Sequence, residues 1–91
     1  MTVRADGAAV VRERSDLLDA RTGEALVAAA TAAAGTHPER LDIDLRHLQG
    51  WTKEGAAALV RCREICAELP AGLHYRTGRG PGRSALLAAY T

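Results

Sequence analysis

Phenylalanine and asparagine are absent from this chain, and its 91 residues include one tryptophan, two tyrosines, one methionine and two cysteines. With so few large rings the core has to be built from Ala, Leu, Val and Ile, and a cofactor box lined with aromatics is excluded. Two cysteines are too few for a disulfide framework or a cysteine-rich zinc site. Cys62 and Cys66 stand four apart and read as small buried hydrophobes. No run approaches the roughly 18 apolar residues of a membrane span, and the opening MTVRADG lacks the hydrophobic centre of a signal peptide. No membrane insertion and a cytoplasmic location are therefore expected. An excess of one charge is also missing: the net charge is +1, which argues against a nucleic-acid partner recruited by bulk electrostatics.

What is present describes one ordinary globular domain, residues 1–91, with 47% hydrophobic and 25% charged residues. Lys53 is the only lysine, against many arginines, alanines and glycines, the composition expected of a GC-rich bacterial gene.

The most informative stretch is residues 41–69. Leu41, Ile43 and Leu45 alternate with Asp42 and Asp44, as in a strand. A polar turn, Gly50-Trp51-Thr52-Lys53-Glu54, leads into a helix that gathers Gly55, Ala58, Leu59, Cys62, Ile65, Cys66 and Leu69 on one face, with Lys53, Arg61, Glu64 and Glu68 opposite. The turn falls at the carboxyl end of the strand, the usual place for binding loops in α/β proteins.

Upstream, Asp6-Gly7 between short runs predicts a hairpin of residues 2–4 and 8–12. Asp19 is the expected N-cap of a first helix whose apolar stripe is Ala25, Leu26, Ala29, Ala30 and Ala33, with Gly35 in the left-handed position at its end, before His37-Pro38. Downstream, Pro70-Ala71-Gly72 stops the second helix, residues 73–77 form another strand, and residues 84–90 a final helix. The expected order is β-β-α-β-α-β-α, an α/β fold with a mixed β-sheet and helices packed against it.

This order, with Leu18-Asp19-Ala20-Arg21-Thr22 before the first helix, Leu41-Asp42-Ile43-Asp44-Leu45 as central strand, and Gly55 followed by the apolar helix 56–69, resembles a STAS domain over residues 10–90. STAS domains are the small modules of bacterial anti-sigma factor antagonists. The resemblance implies a non-enzymatic, protein-binding role in transcription regulation, without cofactor or metal. The implied partner is an anti-sigma factor that is also a serine kinase, or another regulatory protein. The family carries Asp-Ser-Ser-Gly at the start of the second helix and is phosphorylated on the first serine. Aligning that glycine on Gly55 puts Thr52 at the Asp, Lys53 at the phosphorylated serine and Glu54 at the second serine, so the acceptor hydroxyl is missing. Shifting the loop by one residue makes Thr52 the phosphoacceptor. The resemblance also implies that a final edge strand is absent here.

The implied partner surface comprises Trp51, Thr52, Lys53, Glu54, Gly55, Ala56, Val60 and Arg63, with Ala67 beside them. Trp51 is either an aromatic anchor or a lid folded over the core edge, and Thr52 is equally the N-cap of the helix. Two other functions fit the same fold: a structural STAS subunit of a larger assembly such as a lipid-transporting ABC complex, and an anion or nucleotide binder. The second would use Arg79, Arg83 and the glycines of residues 78–84, although their spacing is not that of a P-loop. Asp42, Asp44, His47 and His74 can be imagined as a metal or acid–base set, but no nucleophile accompanies them.

Overall fold

In the computed structural model, residues 2–3 and 7–90 are described. The chain runs β1 (Thr2–Val3), β2 (Ala8–Arg12), β3 (Leu17–Leu18), α1 (Ala20–Ala34), β4 (Arg40–Asp44), β5 (Gly50–Trp51), α2 (Lys53–Ile65), β6 (Leu73–Arg76) and α3 (Pro81–Ala89). The main sheet has the order β1-β2-β4-β6. β1 is antiparallel to β2, whereas β2, β4 and β6 are parallel, so the sheet is mixed and the fold is α/β as expected. The expected order lacked β3 and β5, a two-residue parallel pair too short to show an alternation.

The hairpin pairs Thr2 with Val10 and Val3 with Ala9. Arg4 and Asp6 lie outside the described residues, but Gly7 has a φ of 85°, the left-handed conformation that its lack of a Cβ makes accessible.

Register divides the sheet into two unlike faces. Ala9, Leu41 and Leu73 lie in one row and Val11, Ile43 and Tyr75 in the next. These residues join the apolar sides of all three helices in one core, which includes Leu26, Ala30, Leu59, Cys62 and Ala85. The alternate residues form rows Val10-Asp42-His74 and Arg12-Asp44-Arg76 on the other face.

Asp42 and Asp44 are nonetheless almost fully buried. Arginine side chains cover them. Arg46 grips Asp44 with two guanidinium bonds, Nε to Oδ1 at 2.9 Å and Nη2 to Oδ2 at 2.8 Å, and its backbone N–H donates to the same carboxylate at 3.0 Å. Arg40 donates to Asp42 at 2.8 and 3.3 Å. Arg12 and Arg76 stand farther off, 3.6 Å from Asp44 and 3.8 Å from Asp42.

The first helix is rotated from its expected face. Gly23, Leu26, Val27, Ala30 and Ala33 are buried, while Ala25 and Ala29 are exposed. Alanines occupy every side of this helix, so their spacing carries no phase. Leu26 and Val27, the bulkiest apolar pair, set it instead. Gly23 lets α1 approach α2: a Cβ there would lie 3.0 Å from the Ala58 Cβ.

Its end is also displaced. Gly35 remains right-handed at φ −63°, and His37 takes the left-handed position at φ 56° just before Pro38. Likewise α2 stops at Ile65 instead of Leu69. Pro70 lacks an N–H and its ring would clash with the carbonyl of residue 66, so the chain tightens into turns such as Leu69 N–H to Cys66 O at 3.1 Å. Cys66 and Leu69 keep their core contacts from those turns. In α3 the helix begins three residues early, at Pro81, whose fixed φ suits the first helical position.

The tightest backbone approach is that of Gly55 to the segment before α1. A Cβ at Gly55 would lie 2.0 Å from the Leu18 carbonyl oxygen, a backbone atom that cannot swing aside. Gly55→Ala should cost at least the roughly 1–3 kcal/mol typical of overpacking and lower the melting temperature by several degrees or more, read by circular dichroism.

The pairing of Asp44 predicts an acid dependence. Its hydrogen bonds from Arg46 hold its carboxyl at about 2, below the ordinary 3.8. Because the folded value is the lower one, the stabilisation is complete above about pH 4 and is lost as pH falls through about 2. That difference corresponds to about 2 kcal/mol. Urea unfolding from pH 6 to pH 2 should show Asp44→Asn as less stable at pH 6 and flatter with pH by about that amount.

Candidate functional site

The start of α2 is fixed from behind by the short β3–β5 pair. The Asp16 carbonyl accepts from Gln49 N–H at 2.7 Å and Gly50 N–H at 3.2 Å, and the Leu18 carbonyl accepts from Thr52 N–H at 2.8 Å. Thr52 is then extended, φ −111° and ψ 164°, and its hydroxyl oxygen accepts from Gly55 N–H at 3.1 Å. This is an N-cap, and Glu54 in the first turn complements the positive end of the helix. The same logic starts α1, where Asp19 accepts from Thr22 N–H at 2.9 Å and the Thr22 hydroxyl accepts from Asp19 N–H at 2.8 Å.

Forward of this cap lies a groove of about 470 Å³ between α2 and α3. Trp51 and Lys53 stand at the end where α2 begins, while Ala56, Ala57 and Val60 continue along α2, with Arg61 beyond them. Ala88 and Ala89 of α3 form the opposite wall. Lys53 is exposed. The Arg61 guanidinium donates to Glu24 of α1, Nη2 to Oε2 at 3.4 Å, and so bridges the two helices.

Four of the eight residues expected at a partner surface, Trp51, Lys53, Ala56 and Val60, therefore line one groove. Trp51 is half-buried against the core and also lines the groove. Thr52 and Gly55 lie behind as cap and packing contact, and Glu54 is on the exposed first turn. Arg63 is not brought to the groove. Its guanidinium lies 5.6 Å from the centre of the Tyr90 ring, and it borders a separate depression with Cys66 and Ala67.

Sequence alone did not bring Ala57, Arg61, Ala88 and Ala89 to this surface. A helical spacing did mark the first two, because Lys53, Ala57, Val60 and Arg61 follow i, i+4, i+7 and i+8. The α3 wall follows only from tertiary placement.

The other candidate chemistry is tied up structurally. Asp42 and Asp44 are sealed in ion pairs, while His47 and His74 are exposed. Among the described residues no three His, Cys, Asp or Glu side chains could hold a metal ion. Burial pushes the Cys62 thiol up to about 12 and raises that of Cys66, so neither is a thiolate at neutral pH. In the glycine-rich loop, Gly78 has φ 64°, and the Gly80 carbonyl takes the N–H groups of Arg83 and Ser84 at 3.0 and 3.3 Å. Gly82 is required by packing, as a Cβ there would lie 2.6 Å from the Leu45 carbonyl oxygen.

Comparison with protein-family models, with curated proteins and with solved structures finds no match to this chain. The geometry of the cap yields its own test. Thr52→Ala should destabilise the fold by about 1 kcal/mol, and Thr52→Ser should restore most of it, as read from chemical denaturation.

Proposed function

We propose that this protein is a non-enzymatic, protein-binding regulatory module of the anti-sigma factor antagonist kind, acting without a serine phosphorylation switch. The observation that carries this reading is the exposed Lys53 at the mouth of an apolar groove, on the first turn of α2 where the resembling family keeps its phosphorylated serine. The implied partner is a kinase-type anti-sigma factor or another regulatory protein, and the role is a cytoplasmic one. Among the described residues no helix is long and apolar enough to cross a membrane.

In a switchable relative, phosphate adds about −1.5 to −2 charges to the docking surface and expels the partner by repulsion and desolvation. A lysine ammonium cannot take part in that chemistry. Phosphate on Thr52 would instead esterify the hydroxyl oxygen that caps α2. Binding is therefore constitutive: an apolar side chain of the partner enters between Ala57 and Ala88, and an acidic group pairs with Lys53. A groove of this size belongs to a modest, transient interface.

Lys53→Glu reverses the charge on the exposed first turn without touching the cap. It should weaken association with the partner roughly tenfold by isothermal titration calorimetry, with the melting temperature kept or slightly raised by the helix dipole. Undiminished affinity would remove the groove from the interface. A pull-down that returned a transport ATPase in place of an anti-sigma factor would remove the regulatory role.

A further inference from the structure

Among the described residues, the charged side chains exposed on the sheet face turned away from the helices are all cationic. Its strands contribute two carboxylates, Asp42 and Asp44, whose side chains are only 2–3% exposed. The cations above them are not sealed: side-chain exposure is 57% for Arg12, 52% for Arg46, 45% for Arg76 and 29% for Arg40. His74 lies exposed in the same row as Asp42. A neutral-looking composition thus conceals a segregated one, with anions beneath and guanidinium groups above.

The buried carboxylates also orient the arginines. Arg46 commits Nε and Nη2 to Asp44, which fixes its plane, and its Nη1 has no protein partner among the described residues. Arg12 and Arg76 approach the carboxylates at 3.6 and 3.8 Å, too far for hydrogen bonds, so their donors remain available. Planar donor forks held at one end and open at the other match carboxylates and phosphates bidentately.

We infer that this arginine-covered sheet face is a second docking surface, which binds an extended, carboxylate-rich polypeptide segment. Three features favour that occupant. β2, β4 and β6 span about 10 Å across, and four or five residues of strand run about 15 Å, the footprint of a short extended peptide. Alternate residues of such a peptide stand about 6.8 Å apart on one side, the same period that spaces Arg40, Asp42 and Asp44 along β4. The described face carries no Phe, Tyr or Trp, and therefore lacks the stacking platform through which sheets hold single-stranded nucleic acid. This inference is independent of the α2–α3 groove, which opens on the helical side.

The test is fluorescence anisotropy with a labelled peptide of about eight residues alternating Glu and Thr, at about 20 mM salt. Saturable binding is expected. The double variant Arg12→Gln/Arg76→Gln keeps the short bonds of Arg46 and Arg40 to the buried carboxylates, so it folds by circular dichroism. It should bind about five- to tenfold more weakly, whereas Arg21→Gln on α1 should change affinity less than about twofold. The inference is overturned by absent saturable binding, by equal affinity of the double variant, or by an equal loss in Arg21→Gln. It is also overturned if oligothymidylate of the same charge displaces the peptide and shows the same arginine dependence.

Discussion

The Leu18 carbonyl is the point on which the arrangement turns. It accepts the Thr52 N–H at 2.8 Å and occupies the space that a Cβ of Gly55 would need. One backbone oxygen thus brings the last residue before the Asp19 cap against the Thr52 cap. Both helices start from a shared anchor, and their axes are close enough for Gly23 to meet Ala58. α2 is then held with Lys53 outward and Leu59 and Cys62 inward. A bulkier residue at position 55 would push α2 off this anchor and move the groove wall with it.

Local chemistry was legible in the sequence wherever one residue type has one physical use. Asp19 and Thr52 were readable as caps because a short oxygen-bearing side chain just before an apolar period can satisfy the N–H groups that the first helical turn leaves free. The strand at residues 41–45 was readable from its alternation. What escaped were features decided by neighbours distant in sequence. The phase of α1 depends on packing against α2, and an alanine-rich helix offers no contrast from which to read it. The β3–β5 pair has two residues a side, below the length at which periodicity exists. One wall of the proposed groove comes from α3, so only the α2 side could be read from helical spacing.

β4 departs from the usual rule for a central parallel strand. Such strands are normally covered by helices on both sides and read as continuous apolar runs. Here all three helices contribute to one core on one side, and the strand alternates. The second side is closed with long arginines, whose stems shield what their heads then neutralise. A buried carboxylate without partners would be costly, and a buried ion pair is no strong source of stability in itself. The pairing therefore makes this face tolerable more than it drives folding. The net stabilisation comes from the apolar side, where Leu41, Ile43 and Leu45 are fully buried.

Lys53 stands against the local field. It is the first residue of α2, where the exposed N–H groups favour negative charge, as Glu54 beside it illustrates. A phosphate at this point would be welcomed by the helix, which is why the start of a helix suits a phosphorylation switch. A lysine at the same place gains nothing from the dipole and forgoes a few tenths of a kcal/mol. An ammonium group so placed is best neutralised from outside the molecule. In the proposed role that neutralisation falls to a carboxylate of the partner, which would meet both the lysine and the N-terminal end of α2. The two attractions would act together on the same anionic group, so replacing the serine by lysine would turn a site that repels its partner on modification into one that holds it continuously.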